Sequence, residues 1–186
     1  MVAPLLVTFA GGSAGAWRVE RVDAVRGDEL AVVERIAVAE GENPDLPVDP
    51  RWVLRGVTSN ERYVTSTEHN ALAARQPRLG RAEATRAALI PIRKSSAWWE
   101  LAQDERRDIL EERSHHIGTG LEYLPAVARR LHHCRDLGEP FDFLTWFEYA
   151  PNDAAQFDDL VTRLRDTEEW SFVDREVDIR LTCTAN

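Results

Sequence analysis

The stretch SHHIGTGLEYLPAVARRLHHCR, residues 114–135, contains the change of period that organises the chain around it. Ahead of it, from Ala97 to His116, apolar residues recur at helical spacing through Trp98, Leu101, Ala102 and Ile109. At about 100° per residue, Ile109 to His116 is seven steps, so His116 falls about 20° from Ile109 while His115 is turned away by about 100°. That spacing predicts a helix over 97–117 with His116 facing inward. A second helix starting at Gln103 to Glu105, with Asp104 as its cap, is an alternative for the middle of this run. After Pro125 the period drops to two: Val127, Arg129 and Leu131 share one strand face, and Ala128, Arg130 and His132 share the other. Arg129 is thus placed on an apolar face. A buried guanidinium is costly without a partner, so it calls for a carboxylate in an internal ion pair, a cofactor propionate or an anionic substrate.

Working outward, a strand over 84–94 places Ala88, Ile90, Ile92 and Lys94 on one face, with Lys94 closing the row. The order then runs helix 97–117, strand 126–134, strand 141–149, helix 153–166 and strand 171–182. This is the βαββαβ order of a ferredoxin-like unit. Toward the N-terminus, strands are expected near 4–10, 17–25, 31–38 and 51–57, with a helix near 67–75. Gly41, Pro44, Pro47 and Pro50 make a loop, and Pro77 and Gly80 mark a break over 76–81. The chain therefore divides into an abbreviated N-terminal counterpart, 1–80, and a C-terminal unit, 81–186. Gly11 to Gly15 reads as a hairpin turn and not a phosphate loop, because Trp17 to Val25 is a strand and supplies no helix N-terminus.

The composition is that of an ordinary globule, 44% hydrophobic and 30% charged over 186 residues. Its net charge of −9, with no basic cluster, makes nucleic acid and anionic membranes poor partners. Val2 to Ala10 lacks the basic flank of a secretion signal and reads as a strand, and no stretch is long and apolar enough for a membrane span. Cys134 and Cys183 form no Cys-x-x-Cys pair, which suits a reducing cytoplasm. His132, His133 and Cys134 are consecutive strand residues on alternating faces, so they are not a metal set. His69 falls in a solvated helix start. The charged clusters at Asp104–Asp108 and Glu111–Arg113 have the spacing of a wet helical face, and the aromatics of 141–149 read mostly as core.

Several stretches carry a resemblance in order along nearly the whole chain: Ile-Pro-Ile-Arg-Lys-Ser-Ser-Ala-Trp-Trp (90–99), Ser-His-His-x-x-x-Gly-Leu-Glu-Tyr-Leu-Pro (114–125), Arg-Arg-Leu-x-His-Cys-Arg-Asp-Leu (129–137) and Phe-Asp-Phe-Leu-Thr-Trp-Phe-Glu-Tyr (141–149), with Phe9 to Val19, Arg55-Gly-Val and Arg62-Tyr63 before them. The sequence resembles the short, dimeric type of chlorite dismutase. The resemblance implies an α+β barrel of two ferredoxin-like halves, the N-terminal one abbreviated, assembled as a homodimer. It implies a haem b enzyme acting on chlorite or other small anions, with His116 as the iron ligand. It further implies Lys94, Trp98 and a late glutamate on the ligand side, and Arg129 with Gln76 on the opposite, substrate side. Glu169 matches that glutamate best, although Glu168 is closer in helical phase with Phe157, Val161 and Leu164. Two other readings share the fold: an iron-porphyrin decarboxylase of haem synthesis, whose members generally lack an arginine at position 129, and a haem-binding module without turnover.

Overall fold

The computed structural model describes residues 4–58 and 63–183; Val2, Ala3 and Arg62, which figure in the sequence reading, lie outside it. Eight strands form a closed antiparallel barrel: β1 (Leu6–Gly12), β2 (Trp17–Arg26), β3 (Arg35–Glu40), β4 (Trp52–Thr58), β5 (Arg86–Lys94), β6 (Ala128–His133), β7 (Phe143–Tyr149) and β8 (Val173–Cys183). Round the barrel the order is β1-β3-β2-β8-β5-β7-β6-β4. Read half by half, β4-β1-β3-β2 and β8-β5-β7-β6 have the same relative order. Each is the sheet of a ferredoxin-like unit, and the β2–β8 and β4–β6 seams join them.

The halves differ in what covers them. In the C-terminal half a helical segment links β5 to β6, and helix α5 (Ala154–Arg165) links β7 to β8. Phe157, Leu160, Val161 and Leu164 recur in α5 at the spacing of one helical face. They pack on the outer sheet face formed by Ala88, Ile90, Ile92, Phe147 and Tyr149. A second core, including Phe9, Ile36, Leu54, Leu89, Leu144, Trp146 and Ile179, fills the barrel. The N-terminal half has no helix in either link, and α1 (Ser66–Arg75) comes only after β4.

The glycine run is not a hairpin turn. β1 and β2 do not pair; both pair with β3, which lies between them, at the same end: Gly11 and Trp17 each oppose Ile36. Hairpin partners would have to run antiparallel, whereas β2 continues in the direction of β1 after stepping across the end of β3. Gly15, at φ +142°, passes so close to the Ile36 backbone that a Cβ would collide with it. Arg35 Nη1 then donates to the Gly15 carbonyl at 2.9 Å.

The predicted helix 97–117 is also broken. It comprises α2 (Ser96–Glu100), α3 (Gln103–Arg107), a π-helical turn (Asp108–Arg113) and α4 (His116–Glu122). Asp104 is not a cap; the first turn of α3 is closed instead by Glu105, whose side chain accepts from Ala102 N at 2.7 Å. The wider π turn and a left-handed His115, at φ +51°, interrupt the phase between Ile109 and His116. β3 begins four residues later than expected, and residues 168–172, read partly as strand, form a 3-10 turn.

Inside the barrel His132 is fully buried; its Nδ1 lies 2.9 Å from the Leu144 carbonyl, and Nε2 has no partner. Burial pushes its pKa from 6.5 down to about 4. The folded protein therefore binds this proton less readily than the unfolded chain, and stability falls as pH drops from 6.5 toward 4. His132→Asn keeps a donor for Leu144 but cannot titrate. Chemical denaturation at pH 7 and pH 4 should show it escaping about 3 kcal/mol of the acid-induced loss suffered by the parent.

Candidate functional site

Lys94 ends β5 at a register shift against β8, and its backbone N–H donates to Asp142 Oδ2 at 2.8 Å. On the outer, helix-covered side of the sheet its ammonium lies 2.7 Å from Glu169 Oε1 and 4.5 Å from the centre of the Trp98 ring. Glu169 is held by the 3-10 turn after α5, where its backbone N–H donates to the buried Ser114 Oγ at 3.0 Å. The second carboxylate oxygen, Oε2, meets His116 Nδ1 at 2.6 Å. Burial alone would raise the Glu169 carboxyl, but the Lys94 charge and His116 together hold it well below the usual carboxylate range. Glu168 points outward to Arg113 at 2.7 Å. The chain leaves helical phase at Asp166, so extrapolating the α5 face to Glu168 misleads.

With Nδ1 donating to the ionised Glu169, the lone pair of a neutral His116 ring lies on Nε2, which makes no hydrogen bond to the described residues. The ring lies nearly parallel to Trp170, with centroids 6.4 Å apart, and it is less buried than Lys94 or Glu169. His115 is exposed and has no role in this arrangement.

One turn on from His116, on the same face of α4, Gly120 is covered by Arg129, whose guanidinium occupies the space a Cβ would need. Among the described residues no carboxylate lies within ion-pair distance of that guanidinium, so the internal ion pair is not what places it there. Burial lowers its pKa to about 10 and the Glu111 charge partly opposes this, so it remains a cation at neutral pH. Gln76 Nε2 donates to the Arg129 carbonyl at 2.8 Å, bringing the residue after α1 to the same place. Beside the site, Trp98 Nε1 is a buried donor with no partner.

Three residues here were not marked as site residues by sequence. Ser114 and Trp170 carry no local signal. Glu111, taken as part of a wet face, instead accepts from Ile117 N at 2.6 Å and Gly118 N at 3.1 Å. The group Lys94, Glu169 and His116 leaves one imidazole nitrogen open with its ring oriented by a carboxylate, a donor that suits iron. The orphaned Trp98 donor would suit a propionate. These residues fit a haem.

The chlorite dismutase family model matches residues 46–185, most of the chain. The chain belongs to the chlorite dismutase family. A dimeric chlorite dismutase from Nitrobacter winogradskyi is 57% identical, with a TM-score of 0.88 over 96% of this chain and 99% of that one. The chlorite dismutase of Ideonella dechloratans is 36% identical over 78 residues, 42% of this chain; the matched stretch spans only 25% of that relative. A mutant chlorite dismutase from Candidatus Nitrospira defluvii, 18% identical with a TM-score of 0.70 over 97% of this chain and 92% of that one, shares the fold. Membership agrees with the barrel and its duplicated strand order. Among the described residues no helix is long and apolar enough to cross a membrane.

Proposed function

We propose that this chain is a haem b enzyme that converts chlorite to chloride and dioxygen. Both oxygens leave joined, and the negative charge leaves as chloride. The observation that carries this reading is the open His116 Nε2, backed by Glu169 and Lys94, on the same helix face that seats an arginine without an ion-pair partner. When bound through His116, haem supplies a redox-active iron suited to oxygen-atom transfer. Glu169 holds the Nδ1 proton and raises the donor strength of the ring, and Lys94 limits how far the carboxylate can do so. Trp98, whose Nε1 is a buried donor without a partner, would donate to a propionate. Arg129 holds the anion and then its chlorine-bearing fragment, so that the fragment is retained and not released as an oxidant. Gln76 fixes the backbone of Arg129. A cationic Arg129 also favours this reading over porphyrin decarboxylation.

The protein works as a homodimer in the cytoplasm, the two free cysteines suiting a reducing compartment, and its halves divide near residue 80. An oxygen electrode trace tests the proposal: adding chlorite to haem-loaded protein should evolve dioxygen. Arg129→Ala should keep the haem spectrum yet bind cyanide or fluoride about 1.5–3 kcal/mol more weakly, the scale of a hydrogen bond to a charged group. It should also leak more hypochlorite into a chemical trap. An arginine variant with unchanged anion affinity and no added leakage would refute the anion role.

A further inference from the structure

We infer that Glu111 is a positioning residue for His116, acting as the N-cap that α4 lacks. A helix start leaves N–H groups without intrahelical partners, and the cap residue ordinarily satisfies one of them with a side-chain oxygen. Here the cap is His115 in a left-handed conformation, and it makes no side-chain capping bond. The missing acceptor comes from the preceding π-helical turn. Glu111 Oε2 takes the N–H of Ile117 at 2.6 Å, and Oε1 takes that of Gly118 at 3.1 Å. These are the two residues that follow His116, so one carboxylate grips the backbone on which the imidazole is mounted. A negative charge at a helix start is also favourable in itself.

Two neighbouring features support the assignment. A Cβ at Gly118 would stand 3.3 Å from Glu111 Oε1, so the glycine leaves room for the carboxylate. The Glu111 carbonyl accepts from His115 N at 2.9 Å, so side chain and backbone of the same residue hold both sides of the break. Ser114, inside the break, receives the Glu169 N–H. The separation of His116 from Glu169 is therefore set across a segment whose far end Glu111 anchors. Glu111 is also the acid whose charge acts on Arg129 from across α4.

The inference rests on the His116–Glu169 pair in the proposed function, and the test keeps the two apart by using haem-free protein first. In Glu111→Gln the amide nitrogen would face an N–H donor. Amide exchange at Ile117 and Gly118 should speed up about tenfold, the scale of a lost charged cap. The low-field NMR signal of the His116 Nδ1 proton should broaden or vanish. In haem-loaded protein, transfer of haem to apomyoglobin should quicken and the iron–histidine stretching frequency should shift. If exchange at Ile117 and Gly118 is unchanged, Glu111 is not the cap. If exchange quickens while the Nδ1 proton signal stays as in the parent, Glu111 caps α4 without positioning His116, and the inference fails. Should Glu111→Gln not fold, Gly118→Ala crowds the same carboxylate and should move the same two signals in the same direction; no movement overturns the inference. Parent protein that takes up no haem would defeat the proposed function while leaving the cap and ring measurements decisive.

Discussion

His116→Ala is expected to lose the spectrum of histidine-ligated haem, while His115→Ala keeps it. The two side chains are adjacent, yet their settings differ in kind. His116 has Nδ1 tied to Glu169 at 2.6 Å and Nε2 open. His115 sits exposed at a left-handed junction and points elsewhere. No other histidine shares the carboxylate, so alanine at 116 removes the ligand without a substitute close by. Titration of each variant with haemin, followed by its Soret band and by resonance Raman of the ferrous form, checks this. Retention of the iron–histidine mode in His116→Ala would assign the ligand wrongly.

Glu169→Gln is expected to cost about 3–5 kcal/mol of stability in haem-free protein, because it strands a buried ammonium. The Lys94 side chain is 4% exposed, and Glu169 is its ion-pair partner among the described residues. Truncating one member of such a pair is far costlier than replacing both, so Lys94→Met added to Glu169→Gln should recover much of the loss. Urea denaturation of the two singles and the double closes that cycle. Additive losses would mean that the pair contributes nothing as a unit. The pH dependence has a definite sign: the folded carboxyl lies below its ordinary 4.5, so its contribution is present above that value and is lost on acidification through the folded pKa.

Much of this architecture can be read from the chain because local pattern and tertiary role agree. Alternation along Ala88, Ile90, Ile92 and Lys94 places the lysine on the helix-covered side, and the period of α5 gives its buried face directly. The reading of residues 97–117 fails where tertiary geometry overrides propensity. A left-handed histidine and a π turn have no compositional signature, so His116 points at Glu169 for a reason other than its phase with Ile109. Choosing between Glu168 and Glu169 likewise required knowing that α5 stops at Arg165 and a 3-10 turn follows. Glu111 is unreadable because its capping contact spans an interruption of the helix, whereas Glu-Glu-Arg looks like solvated surface. The β1–β2 relation was missed because short glycine links suggest neighbours, and only the non-local partner β3 shows otherwise.

That side-step at Gly15 makes the barrel sensitive to arithmetic. β2 takes up its place on β3 through two residue pairs, Trp17 with Ile36 and Arg18 with Arg35, and then runs the length of the β2–β8 seam. A residue gained or lost between Ser13 and Ala16 must either bulge out or slide the whole of β2 by one position. Sliding would exchange its inner and outer faces along one of the two joins that close the ring. The four-residue link thus acts as the buckle of the barrel. Inserted sequence should be far better tolerated in the longer loop before β4, residues 41–51, which can take up added length without sliding β4 along its seam with β6.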